Sequence, residues 1–379
     1  MELELQMQVE DKEGIELADW RHRAASAMYQ SGLLRAFRAV SRHYEYASDN
    51  GSGEHLRRVR NPKYIVLGYH SVGTHGFPLY CRLPKKVFAE QMRYIRRHYR
   101  VVSLGQMIDE LESLSAQDQS VVVTFDDGYL GTYTEAFPVL KEYSIPATVY
   151  LTAGLVESGA LAWYDEIFLR LQRAPSDTTL TLEHGRPSRV ADFASPVEAA
   201  TTAVMYLRTL PDEERQQWCA ALAEVLPVPP DQLRGSMMNW EQARDMCRAG
   251  ISFGCHTMSH PVLSRLSAEA VRREVAESKW LMESRLDVKV DDFAFPFGKA
   301  KDCGAIGAEA LSALGFRTAM TTILGVNGPG TDPFRLRRMV QGEEPSTAMF
   351  AYRLHRLFFH PLDEELTAAS NGAGAERGW

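Results

Sequence analysis

Two adjacent carboxylates, Asp126 and Asp127, stand at the end of the run SVVVTF, and Gly128 follows them at once. Two histidines, His256 and His260, lie four positions apart directly after ISFGC. His70 closes the run YIVLGY, and Pro296, Phe297 and Gly298 close FAF. Singly, each signal has an ordinary explanation. Asp-Asp-Gly suits a turn that also caps a helix, and a histidine at a strand end is commonly satisfied by a nearby hydrogen bond. Together, His256, His260 and Asp127 supply two neutral nitrogen ligands and a carboxylate, the ligand set of an open catalytic zinc site. Asp126 is then a neighbouring carboxylate free to accept a proton. A Lewis acid, a water it activates and a base are the equipment of metal-assisted hydrolysis.

The elements that must position these residues are short β-rich runs alternating with amphipathic helices from Tyr64 onward. YIVLGY, VVSL, SVVVTFDD, ATVYLTA, ISFGC, FAF, FRTAM and FRLRRMV read as strands. Helix faces are marked by Phe88, Met92, Ile95 and Tyr99, by Met107, Ile108 and Leu111, and by Val271, Val275, Met282 and Leu286. TEAFPVLKEY reads as a helix interrupted by Pro138, and GAEALSALG as another helix. Such alternation predicts a parallel sheet, open or closed into a barrel. In parallel βα architectures sites are assembled at the C-terminal ends of strands, and four separate strands here deliver polar or turn-forming residues at that edge. The stretch from about Gly159 to Trp240 breaks the rhythm. It reads as a mostly helical insertion, turn-rich near EHGRPSR.

The chain has 379 residues, 45% hydrophobic and 24% charged, which excludes disordered and fibrous classes. No apolar run approaches the roughly 18 residues of a spanning helix. The acidic start lacks the basic-then-apolar order of a secretory signal. Five cysteines form no paired framework and no Cys-x-x-Cys, which favours a reducing compartment. A net charge of -7 argues against general nucleic-acid affinity. Residues 1–19 carry seven carboxylates and one lysine, whereas residues 20–44 carry five arginines and no acid. Tyr29, Leu33, Phe37 and Val40 make an apolar stripe at helical spacing beside Arg35, Arg38 and Arg42. The stripe fits a helix packed on the domain that follows, or one lying on an anionic membrane surface or a partner. The expected location is the cytoplasm, with peripheral contact at the inner membrane through residues 20–44 on the second reading.

TFDDGY (124–129), HTMSH (256–260) and FPFG (295–298), in this order, resemble the polysaccharide deacetylases of carbohydrate esterase family four, which carry the NodB-homology domain. YHSVG, WYDEIF and DPFRLRR resemble the subgroup encoded among bacterial exopolysaccharide genes. The resemblance runs from about Tyr64 to Val340. It implies an α/β fold, a distorted (β/α) barrel, here with a helical insertion at about 159–240 and an N-terminal helical extension. It also implies removal of N-acetyl groups from an N-acetylhexosamine-containing glycan or precursor. Carried over by position, Asp127, His256 and His260 would bind a divalent metal, usually zinc, and Asp126 would be the base that deprotonates the attacking water. A backbone N–H near Tyr129 would meet the oxyanion, and Phe297, Trp163, Tyr164 and Arg337 are candidates for substrate contact. An O-acetyl esterase, a small-amide hydrolase and a silent carbohydrate-binding barrel are the alternatives.

The family's third motif usually opens with an arginine that orients the base, but Ala294 and Phe295 fill that stretch here. Arg337 or Arg338 is the expected substitute. The family's late histidine has no counterpart at a strand end, so His70 is the expected general acid, with His355 and His360 as the alternatives. The expected organisation is an acidic segment, Arg-rich helix and linker over 1–60, the catalytic domain over 61–345, and a C-terminal helix and tail over 346–379.

Overall fold

The computed structural model describes residues 25–28, 63–73, 82–115, 119–182, 187–342 and 346–359. Its centre is a ring of parallel strands: β1 (Tyr64–Tyr69), β2 (Ser120–Phe125), β3 (Ala147–Leu151), β4 (Ser252–Cys255), β5 (Asp292–Ala294), β6 (Thr318–Met320) and β7 (Arg338–Val340). Their spatial order is β6-β5-β4-β3-β2-β1-β7. A parallel bridge from Met320 to Leu336 sets β6 beside the segment entering β7 and nearly closes the ring. The short strand Arg100–Val101 pairs with the first residues of β2.

Strand alternation sorts the side chains into two layers. Tyr64, Val66, Val122, Tyr150, Ala294, Met320 and Leu336 form the cluster inside the ring. The helix α2 (Leu104–Glu112) adds Leu104, Met107 and Ile108 to it. It closes the N-terminal end, where the Tyr64 hydroxyl donates to Glu110 and Arg317 pairs with Asp109. The intervening residues, among them Ile65, Leu67, Val123, Phe125, Val149, Phe253 and Phe293, face outward into the larger cluster beneath the surrounding helices. Those helices are α1 (Lys85–His98), α3 (Phe137–Tyr143), α8 (Trp240–Arg248), α9 (Ala268–Leu286), α10 (Ala300–Ala313) and α11 (Thr347–Phe359). Gly254 leaves the interior room for Tyr150, whose ring lies 2.4 Å from where a Cβ at 254 would stand.

The helical stretch over 130–143 is interrupted beside Pro138, as expected. A π-helical turn over Thr132–Ala136 leads into α3, whose first turn carries Pro138. The stretch that breaks the strand–helix rhythm leaves the barrel and returns at one point, since the Leu161 N–H donates to the Leu233 carbonyl at 3.0 Å and Ala160 bridges Arg234. Between them lie α5 (Trp163–Leu171), α6 (Pro196–Leu207) and α7 (Asp212–Val225). The turn-rich stretch forms a hairpin of Thr179–Thr181 with Pro187–Arg189. This region has its own apolar cluster around Ile167, Phe168, Leu171, Ala203 and Leu207. The short helix α4 (Ala153–Ser158) links β3 to it. The expected Arg-rich helix lies outside the described residues, except that Ala25–Met28 are helical.

Candidate metal centre at the C-terminal mouth of the barrel

Because the strands are parallel, residues 70, 126, 256 and 295 all emerge at one mouth. Asp126 continues the inward register of Val122 and Thr124. On a regular strand Asp127 would point outward, but its φ is +70°. That left-handed step breaks the alternation and returns the second carboxylate to the mouth. Asp127 Oδ1 then stands 3.4 Å from His256 Nε2 and 3.3 Å from His260 Nε2. All three side chains are buried, and their ligand atoms lie within 4.8 Å of one another.

This set suits a cation. His256 Nδ1 lies 2.7 Å from the Ala294 carbonyl, which only accepts, so Nδ1 donates and Nε2 carries the lone pair. Asp127 Oδ1 is buried and has no hydrogen-bond partner. Two imidazole nitrogens and a carboxylate oxygen thus converge on one point, a donor set that matches zinc and its neighbours. Burial pushes His260 down to about 3 even with the Asp127 charge beside it, which leaves that imidazole neutral. His256 behaves differently. Burial alone would lower it, but contact with Asp127 and the charges of Asp126 and Asp127 raise it above its ordinary value. Burial also opposes the charge on Asp127, but the contact with His256 and the field of the surrounding histidines, His70 among them, more than offset it and hold the carboxyl well below the usual range.

Asp126 is gripped from inside the barrel. Arg338, fully buried on β7, donates through Nη1 to Oδ1 at 2.7 Å and through Nη2 to Oδ2 at 2.8 Å. Its Nε donates to the Thr321 carbonyl at 2.8 Å, which fixes the plane of the fork. Burial penalises the Asp126 charge, but the guanidinium, with His256, outweighs it and keeps the pKa below the ordinary value. Of the two arginines expected to substitute for the family's, Arg338 is the one that reaches Asp126. Arg337, just ahead of β7, lies against Gly325 while its backbone N–H donates to Asn327.

His70 is half-buried at the end of β1, its Nδ1 enclosed without a hydrogen-bond partner. A charge on it acts on Asp126, Asp127 and His260, so it stands within electrostatic reach of all three. His355 lies elsewhere. It packs on Phe359 in α11, and that helix is tied by Phe358 to Lys63, ahead of β1 and at the opposite end of the barrel. His360 lies outside the described residues.

The insertion forms one wall of the mouth. The Trp163 indole N–H donates to the His260 carbonyl at 3.1 Å, and the Tyr164 ring meets the His260 ring edge-on at 4.9 Å. Trp163 also lies under the Arg215 guanidinium, 4.7 Å from the ring centre. Phe297 lies between His260, at 4.8 Å, and Arg208, at 4.1 Å. Arg208 in turn pairs with buried Asp302 of α10. The Tyr129 hydroxyl donates to Asp165 at 2.6 Å, so its side chain braces the insertion. Asp165 is fully buried and, by desolvation, raised well above an ordinary carboxyl. Sequence reasoning singled out neither Asp165 nor the Ala294 carbonyl. WYDEIF pointed to the region, but the partner of each depends on a contact distant in the chain.

Residues 114–319 match the family profile described as polysaccharide deacetylase. The Bacillus subtilis protein described as polysaccharide deacetylase YxkH is 34% identical over 98 residues, 25% of this chain and 34% of that protein, so the match spans about a third of the relative. The Streptococcus pyogenes deacetylase PplD, solved in complex with acetate, superposes with a TM-score of 0.53 at 17% identity, covering 79% of this chain and 99% of that one. IcaB from Ammonifex degensii gives 0.51 at 23% identity, covering 76% of this chain and 97% of that one. The two solved structures share the fold.

Proposed function

The chain belongs to the polysaccharide deacetylase family, and from that premise we propose that it is a metal-dependent hydrolase removing the N-acetyl group of an N-acetylhexosamine unit in a glycan or glycan precursor. The observation that carries this reading is the convergence of Asp127, His256 and His260 on one point beside an Asp126 held by Arg338.

An amide is a poor electrophile and an amine a poor leaving group. A divalent metal, zinc by the chemistry of the donor set, would be held by Asp127, His256 and His260 and would polarise the acetyl carbonyl and acidify water. The remaining steps belong to the protein. Arg338 keeps Asp126 ionised and aimed, and each carboxylate oxygen still has a lone pair free, so Asp126 accepts the proton of the attacking water. The backbone N–H near Tyr129 meets the developing oxyanion. His70 delivers a proton to the departing nitrogen, so amide and water become acetate and amine.

Acetate release from chitooligosaccharides and from a nucleotide-linked N-acetyl sugar tests the reading. Release from an O-acetylated glycan alone would replace it with an esterase, and no release from any acetylated substrate would favour a binding barrel. His70→Gln is expected to keep bound metal and fold while losing about 10²–10⁴ in turnover. His355→Ala is expected to retain turnover, and the reverse result would move the acid to α11. The proposed location is the cytoplasm, at the inner membrane face through residues 20–44. Among the described residues no helix is long and apolar enough to cross a membrane. Cell fractionation tests this, and mature protein outside the cytoplasmic membrane would end it.

A further inference from the structure

The loop that carries both histidines is held in an improbable shape. Thr257 has φ +70° and His260 has φ +58°, two left-handed residues within five, one of them β-branched. Relaxation of either to the right-handed region would swing His260 away from Asp127. The loop's own bonds are few: the His260 N–H donates to Thr257 Oγ1 at 3.1 Å, and the Thr257 hydroxyl donates to the His256 carbonyl.

Neighbouring elements supply the rest. The Ala153 and Gly154 N–H groups donate to the Thr257 and Met258 carbonyls at 3.0 Å, the Trp163 indole donates to the His260 carbonyl, and one face of α9 binds the loop's own N–H groups. Glu274 Oε2 accepts the Met258 N–H at 2.9 Å and the Ser259 N–H at 3.0 Å, and Oε1 accepts the Ser259 hydroxyl at 2.8 Å. One turn further along, Ser278 Oγ donates to the Thr257 carbonyl at 3.0 Å. Two successive backbone N–H groups converging on one anion form a nest, a concavity that requires an unusual backbone and rewards it with charge-assisted bonds. Here the anion is the chain's own carboxylate.

We propose that Glu274 is a positioning residue for the metal centre, its carboxylate filling the nest between His256 and His260 and so holding both Nε2 atoms on Asp127. The inference rests on the reading of that centre as a metal site. Glu274 touches neither metal-ligand atoms nor substrate and acts through the backbone it binds.

The test measures metal affinity in the full chain, with Zn2+ against a competing chelator and with Co2+ by its visible absorption. Glu274→Ala is expected to weaken metal binding by about 10–100-fold, the usual cost of losing an outer support. It should also shift the Co2+ bands and lower kcat with KM nearly unchanged. Glu274→Gln keeps one oxygen for both amide N–H groups, and its NH2 can donate to Ser259, so it is expected within about threefold of the parent. Glu274→Asp keeps the charge but loses a methylene of reach, and it is expected to behave like the alanine variant. This pair decides the matter even if Glu274→Ala does not fold. Parent-like metal affinity and Co2+ bands in Glu274→Asp, or a loss in Glu274→Gln equal to that in Glu274→Asp, would overturn the proposal while leaving the metal site in place. A parent protein that holds no metal at all would instead overturn the reading beneath it.

Discussion

Asp126 and Asp127 are neighbours in the chain with separate proposed tasks, and the division is open to measurement. Asp127→Ala, His256→Ala and His260→Ala are each expected to lose bound metal and activity together, because three protein ligands leave no redundancy. Asp126→Asn should keep metal and lose turnover. Elemental analysis showing Asp126→Asn as metal-free as the others would overturn the assignment. The raised pKa of His256 adds a pH signature. Below that pKa the metal-free imidazole carries a proton that metal must displace. Affinity is therefore expected to fall as pH drops through this range, by about tenfold per unit for one displaced proton, and to level off above it. Titrating Zn2+ affinity between pH 5 and 8 checks the slope. A flat profile would mean that His256 is already neutral throughout.

β7 brings a charged side chain into the barrel interior, and its energetics follow from burial. Arg338 and Asp126 are both shielded from water and satisfy each other through two hydrogen bonds. Removing one partner leaves a buried charge without compensation. Arg338→Met is therefore expected to destabilise the fold by about 3–5 kcal/mol and to abolish turnover. The double variant Arg338→Met with Asp126→Asn should recover much of that stability and none of the activity. Urea unfolding separates the two, and a double variant as unstable as the single one would show that Arg338 acts mainly through Thr321 and packing. Arg338→Lys is not expected to rescue, since an ammonium cannot supply the two parallel bonds.

The insertion and the barrel share the mouth. The insertion has its own apolar cluster, yet Trp163, Tyr164 and Asp165 reach back to His260 and Tyr129. Trp163→Phe keeps an aromatic ring but removes the pyrrole half of the indole with its N–H, so a reduced metal affinity is expected. An unchanged affinity would mean that the barrel alone holds His260. Replacing residues 162–232 by a short turn between the paired ends should leave the parallel ring intact by circular dichroism. It should also forfeit metal, because His260 loses its support and the Tyr129 hydroxyl its partner.

The alternation of strands and helices, the mouth to which Asp126, Asp127, His256, His260 and His70 belong, and the interrupting insertion were all legible in the chain. Each depends on local pattern, namely side-chain period, strand ends and the turn residues beside them. The choice between Arg337 and Arg338 was not, because only the closed ring shows which of the two side chains reaches the interior. Nor was the role of Trp163, whose partner lies 97 positions away, or of Ala294, which contributes a backbone carbonyl that no residue type announces. The left-handed steps at Asp127, Thr257 and His260 belong with these. Aspartate, threonine and histidine do not demand such a backbone, and it persists because contacts assembled from distant elements outweigh the local preference.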